Sequence, residues 1–145
     1  MAATESPSAT TDVYGIGTDL VRISRIERIW KRSGEGLADF MLMAAERIEM
    51  RRAKEPVRFL AERFAAKEAI VKAMGTGFTS EFWFQDVGCV CEAPGRFDVI
   101  YSEQVDRIRR ERGIGPGFLS VNTLEEYVWA CAVLTCAAPT GPRQS

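Results

Sequence analysis

The 145-residue chain contains no histidine. That absence excludes a Ser-His-Asp triad, a Cys-His nucleophile and any histidine-ligated metal. Proton transfer in an enzyme of this composition must fall to carboxylates and lysines, or to a hard cation held by oxygen. An excess of one charge sign is also missing. Lys and Arg number 19 against 20 Asp and Glu, a formal net charge of −1. This gives no argument for nucleic acid or a membrane surface as a partner. No apolar run reaches the length of a membrane span. The opening stretch, MAATESPSATTD, lacks a basic region followed by an apolar one, so it does not read as a secretory signal. The cytoplasm is the expected location. The four cysteines stand as C-x-C (Cys89, Cys91) and C-x4-C (Cys131, Cys136), spacings that match no common zinc pattern. They are expected to be small buried residues, with a thiolate metal site as the alternative.

What is present reads as a single domain over residues 13–137, between a disordered leader (1–12) and a disordered tail (138–145). VYGIGTDLV, residues 13–21, has the pattern of a strand. Tyr14, Ile16, Thr18 and Leu20 line one face, and Gly15, Gly17 and Asp19 the other. Glycines inside a strand mark close approach, either by a ligand or by another backbone such as a packed helix. Ser24 with Glu27 matches a capping box and predicts a helix over about 25–33, with Ile26, Ile29 and Trp30 inward. Arg22, Arg25, Arg28, Lys31 and Arg32 form its other side. A cation at Arg25, in the first turn, opposes the helix dipole. That basic face is either simply solvated or made for an acidic partner.

Short helical segments follow near Phe40 and over 44–54. Pro56 opens a long helix that runs to about Met74, where Gly75 and Gly77 stop it. Strands EFWFQDVGCVCE and RFDVIY flank APG as a hairpin. Ser102 caps a helix over 103–112, ended by Gly113, and strands near 118–122 and 127–137 close the chain. Helices and antiparallel strands interleave without a βαβ rhythm, which predicts an α+β fold.

The long helix carries an anomaly. Around a 3.6-residue turn, Leu60, Val71 and Glu68 fall at about −40°, −20° and +40° from Phe64. Glu68 therefore shares the arc that should face the core, where a carboxylate needs compensation. An i,i+4 ion pair with Lys72 would supply it. A second answer uses Asp19 as well. Two inward carboxylates without histidine suit Mg²⁺, which takes oxygen ligands and often completes its shell from substrate phosphates. Lysine and the N–H groups of a glycine turn suit phosphate oxygens. The pattern points to a Mg²⁺-dependent enzyme acting on a diphosphate, provided the two segments meet.

GIGTDLVRISRI (15–26) followed by RFLAERFAAKEAIVKAMGTG (58–77) resembles the two signatures of the holo-acyl-carrier-protein synthase family of 4′-phosphopantetheinyl transferases. The resemblance implies a small antiparallel sheet packed on a long helix. It implies transfer of the 4′-phosphopantetheine arm of coenzyme A to a serine of an apo acyl carrier protein of fatty acid or polyketide synthesis, with release of adenosine 3′,5′-bisphosphate. Mg²⁺ and a homotrimer with active sites between protomers are implied as well. By position, Asp19 and Glu68 match the metal-binding and catalytic acids, and Lys72 matches the lysine facing the diphosphate. Arg63, Lys67, Gly75, Thr76 and Gly77 fall on the cofactor-binding motif. Arg25 matches a contact to the acidic helix of the carrier protein, with Arg22, Arg28 and Arg32 on the same surface. The chain departs from the family at Thr123, where a histidine is usual, at Arg22, where a glutamate is common, and at Gly88, which replaces a strand glutamate. These departures leave a second reading, a carrier-protein-binding module that transfers slowly or not at all.

Overall fold

A computed structural model describes residues 12–79 and 82–139. The expected tail beyond residue 139 and the leader before Asp12 lie outside the described residues. Asp12 itself belongs to the fold, since its carbonyl accepts the Cys136 N–H at 2.7 Å. Five strands, β1 (Val13–Arg22), β2 (Val87–Ala93), β3 (Arg96–Tyr101), β4 (Ile114–Leu124) and β5 (Tyr127–Cys136), form one antiparallel sheet in the order β1-β5-β4-β3-β2. Helices α1 (Ile23–Ser33), α2 (Glu35–Met41), α3 (Ala44–Met50), α4 (Pro56–Met74) and α5 (Glu103–Glu111) complete the expected α+β fold.

The core lies between α4 and the sheet. Leu60, Ala65, Ala69, Ile70 and Val71 of α4 are buried, as are Val21, Val121, Val128, Ala130, Ala132 and Leu134 of the strands. Gly15 and Gly17 decide how closely the layers meet. A Cβ on Gly15 would lie 2.0 Å from the Ala73 carbonyl oxygen, and one on Gly17 2.0 Å from that of Ala69. The β1 glycines thus serve contact between backbones, the packing alternative of the two read from the sequence. Their face of β1 is the inner one, so Ile16 and Leu20 point outward at 62% and 64% exposure. Residues Ile16 and Phe118 both pair with Val133, and Leu20 pairs with Trp129. Exposed Phe118 and Trp129 therefore continue the same uncovered apolar face across β4 and β5.

Several boundaries differ from the sequence expectation. The Ser24–Glu27 capping box does not form. Helix α1 starts at Ile23, directly after extended Arg22, and no side chain caps it. The Ile23 N–H instead donates to the Glu126 carbonyl at 2.8 Å, so a tertiary contact serves as the cap. Glu27 pairs with Lys31 at 3.3 Å. Helix α3 ends at Met50, with a turn rather than helix before Pro56. The expected first hairpin strand begins only at Val87, after a short 3₁₀ turn over Phe84–Asp86. Strand β4 begins at Ile114, earlier than expected, and its register with β5 shifts between Ile114 and Gly117. Of the cysteines only Cys89 is buried, and all four are free thiols.

Gly17→Ala should cost about 3 kcal/mol in urea denaturation, because the obstructing atoms are helix backbone and not a movable side chain. Gly36→Ala, with nothing within 4 Å of the new Cβ, should leave the midpoint unchanged or slightly raised.

Candidate active site

The seating of α4 on β1 brings the two sequence signatures together. Asp19 continues the inward β1 face beyond Gly17 and is half-buried. Lys72 reaches across from α4, its Nζ 2.8 Å from Asp19 Oδ1 and 3.0 Å from the Thr18 carbonyl. The i,i+4 pair between Glu68 and Lys72 expected from helix geometry is therefore absent. Lys72 goes to the strand, and Glu68 has no hydrogen bond or ion pair to the described residues. Glu68 is half-buried. Burial pushes its carboxyl above the ordinary glutamate range, the nearby Asp19 charge adds to the rise, and Lys72 and Arg25 oppose it. Two facing carboxylates thus share one ammonium that bonds only one of them. This is a site short of positive charge.

Arg25 joins the site from α1, its guanidinium 5.4 Å from the centre of the Phe64 ring, one helical turn before Glu68. Phe64 stacks on Phe84 at 5.6 Å, and Phe84 on Phe78 at 4.0 Å. This aromatic row ties the segment after the glycine turn to α4. Ile26, Ile29, Leu37 and Phe40 complete an apolar groove of about 320 Å³ with Phe64 and Phe84. No local pattern links Phe64, Phe78 and Phe84, because they come together only in space.

Arg63 and Lys67, expected on the cofactor, are instead turned into the protein. Lys67 is fully buried, with Nζ 2.7 Å from Glu46 Oε2, 2.6 Å from the Phe84 carbonyl and 2.5 Å from the Val87 carbonyl. Burial lowers its pKa, and Glu46 holds it up. Arg63 bonds Glu49 at 2.5 Å and packs over the Phe59 and Phe97 rings. Both glutamates also accept β2 N–H groups, Glu46 from Cys89 and Glu49 from Cys91. Strand β2 is an edge of the sheet, so α3 covers donors that would otherwise be unpaired. The same network accounts for Gly88. A Cβ there would lie 2.8 Å from the Glu46 carboxyl carbon, so the buried Glu46 excludes a strand glutamate at that position.

The glycine turn is also more committed than expected. Gly75 is left-handed at φ 78° and caps α4. The N–H of Gly75 donates to the Lys72 carbonyl, and those of Thr76 and Gly77 to the Val71 carbonyl. These three donors close the helix and are not free for a phosphate. The buried Thr76 Oγ1 has no hydrogen-bond partner among the described residues.

On the basic face, Arg22 is held by the Tyr127 hydroxyl and lies over its ring. Arg28 and Arg32 are exposed, with no ion pair to the described residues. Thr123, in the place of the usual histidine, donates to Glu62 Oε1 at 2.9 Å. Glu62 also takes Arg58, so Thr123 belongs to a polar contact nearly two turns from Glu68 along α4. Among the described residues no cluster of three or more His, Cys, Asp or Glu forms, and no helix is long and apolar enough to cross a membrane.

Two stability outcomes follow. Lys67→Met should cost about 3–5 kcal/mol in chemical denaturation, because the buried Glu46 loses its close partner and keeps only Arg63 at 3.9 Å. Glu68→Gln should raise the melting temperature of the metal-free protein at neutral pH. A carboxyl raised on folding contributes stability only in its protonated form, present at low pH and lost as pH rises through its folded value. The neutral amide removes that loss, so the gain over the parent should vanish in acid.

Residues 15–132 match the family model described as the 4′-phosphopantetheinyl transferase superfamily. A holo-[acyl-carrier-protein] synthase of Neisseria meningitidis is 40% identical over 121 residues, covering 83% of this chain and 97% of that protein. The crystal structure of the Neisseria meningitidis enzyme superposes with a TM-score of 0.79 at 38% identity, over 84% of this chain and 98% of the other. A Bacillus anthracis holo-(acyl-carrier-protein) synthase solved in complex with CoA (3′,5′-ADP) gives 0.70 at 28% identity, over 88% and 100%. The two signatures, the strand order and the acid pair under α4 thus lead to one assignment: this chain belongs to the holo-acyl-carrier-protein synthase family of 4′-phosphopantetheinyl transferases.

Proposed function

We propose that the protein transfers the 4′-phosphopantetheine arm of coenzyme A to a serine of an apo acyl carrier protein, in the cytoplasm, with release of adenosine 3′,5′-bisphosphate. The observation that carries this reading is the unpartnered Glu68 beside Asp19. Burial and the Asp19 charge disfavour ionised Glu68 by more than Lys72 and Arg25 offset, with no hydrogen bond or ion pair to the described residues, and chemistry at the site accounts for that cost.

The donor set fits Mg²⁺. Both acids offer hard oxygen ligands, and two protein carboxylates without a third are what Mg²⁺ takes when substrate phosphates and water complete its shell. Bound between Asp19 and Glu68, Mg²⁺ would supply neutralisation of the diphosphate charge. The side chains supply the rest. The serine Oγ forms a bond to the β-phosphorus while the bond from that phosphorus to the departing nucleotide phosphate breaks. Glu68 accepts the serine proton. Lys72 meets the negative charge that passes to the leaving phosphate. Thr76 Oγ1 offers a hydroxyl to the cofactor from the end of α4.

Arg25, Arg28 and Arg32 supply a basic surface for an acidic carrier helix, whereas Arg22 contributes through its grip on Tyr127. The uncovered face of Ile16, Leu20, Phe118 and Trp129 suits burial in a homotrimer. A module that only binds carrier protein has no use for a half-buried acid beside Asp19, so the presence of Asp19, Glu68 and Lys72 favours transfer.

Incubation with Mg²⁺, coenzyme A and an apo carrier protein should give a phosphopantetheine-sized mass gain on the carrier. Binding without that gain would leave the module reading. Glu68→Gln should lower the rate by about 10²–10⁴-fold with the fold retained by circular dichroism.

A further inference from the structure

Lys72 does more than wait for a phosphate. Its half-exposed ammonium is fastened to β1 by two bonds, to Asp19 Oδ1 and to the Thr18 carbonyl. Its i,i+4 neighbour Glu68 receives neither. The cause lies in the tight seating of the helix. A Cβ on Gly17 would meet the Lys72 Cβ at 2.9 Å, so the lysine stem starts flat against β1 and its reach leads along that strand to Asp19. The cation thus sits on an oxygen that the reaction needs for another cation.

We propose that Lys72 is an exchangeable counter-ion, which occupies Asp19 Oδ1 until a divalent cation displaces it and thereby frees the ammonium for the substrate diphosphate. The inference rests on the reading of Asp19 and Glu68 as metal ligands. An ammonium and a divalent ion on one carboxylate repel each other, so a metal at Asp19 weakens the Lys72 bond to Oδ1. The exchange is feasible because Lys72 is on the solvent side. Its side chain is 48% exposed against 16% for Asp19, so the released ammonium returns to water and not to a low-dielectric interior. Displacement also directs it. A new positive charge at the acids repels Lys72, and the phosphates attract it. Metal entry and lysine delivery become coupled, and by linkage a diphosphate that draws Lys72 away should strengthen metal binding equally.

Mn²⁺ binding to the full chain without coenzyme A, read by the electron paramagnetic resonance of free Mn²⁺, tests the exchange apart from turnover. Lys72→Gln should bind Mn²⁺ about fivefold or more tightly than the parent, although it transfers more slowly. Arg25→Gln removes a charge that acts on Glu68 without bonding Asp19, and should change affinity by less than about twofold. Asp19→Asn should abolish binding in both the parent and the Lys72→Gln background. Equal or weaker binding by Lys72→Gln, or a gain no larger than that of Arg25→Gln, overturns the exchange and leaves the metal site standing. Failure of the parent and Lys72→Gln alike to bind Mn²⁺ overturns the metal site and the exchange with it. As a second readout, the side-chain ¹⁵N resonance of Lys72 should shift on Mg²⁺ addition alone. A Lys72 signal unmoved at saturating Mg²⁺ also overturns the proposal.

Discussion

Backbone contact between α4 and β1 is the constraint from which the site follows. Two glycines let carbonyl oxygens of Ala69 and Ala73 occupy space where any side chain on the strand would stand. Small residues on the helix, Ala65, Ala66, Ala69 and Ala73, keep that approach short over several turns. At this separation a carboxylate on the strand and a lysine on the helix reach each other directly. A wider spacing would leave Asp19 and Glu68 as two unrelated surface acids. Close packing, which elsewhere stabilises a core, here sets the distance between reacting groups.

Proximity alone does not choose which side of α4 faces the strand. The buried ions do. Lys67 is anchored to α3 through Glu46 and to the chain before and at the start of β2 through two carbonyls. Arg63 adds Glu49 one turn earlier. These bonds pin α4 about its axis, so that Glu68, immediately after Lys67, turns toward Asp19. The cations of the RFAAKEAIVK stretch thus divide their work. Arg63 and Lys67 hold the helix, and only Lys72, past the last anchor, remains near solvent. The aromatic row from Phe64 through Phe84 to Phe78 carries the same fixation to the segment beyond the glycine turn.

Several groups left short by the described residues share a direction of use. Glu68 lacks an ion pair, Thr76 Oγ1 lacks a hydrogen-bond partner, and a sheet face keeps Ile16, Leu20, Phe118 and Trp129 exposed. On α1, Arg28 and Arg32 stand clear of the described acids. A cation, a polar cofactor, an apolar protein surface and an acidic partner would meet these four shortages in turn.

Much of this was legible in the chain order of residues. Pro56 and Gly75 bounded α4 because one fixes φ for a first turn and the other accepts a left-handed cap. Strand alternation put Gly15, Gly17 and Asp19 on one face, and helical angle put Glu68 inward. The absence of histidine left carboxylates and lysine as the only proton carriers. Local pattern could not decide between partners that are equally near in sequence and unequally near in space. The Ser24–Glu27 box lost to the Glu126 carbonyl, which accepts the Ile23 N–H. Lys72 left Glu68 for Asp19, and Arg63 and Lys67 were taken by Glu46 and Glu49. Sequence alone determined which groups are the candidates for the chemistry and which elements bear them. Tertiary structure decided which charge neutralises which, because that choice depends on the depth to which α4 sinks onto β1, a distance no local periodicity encodes.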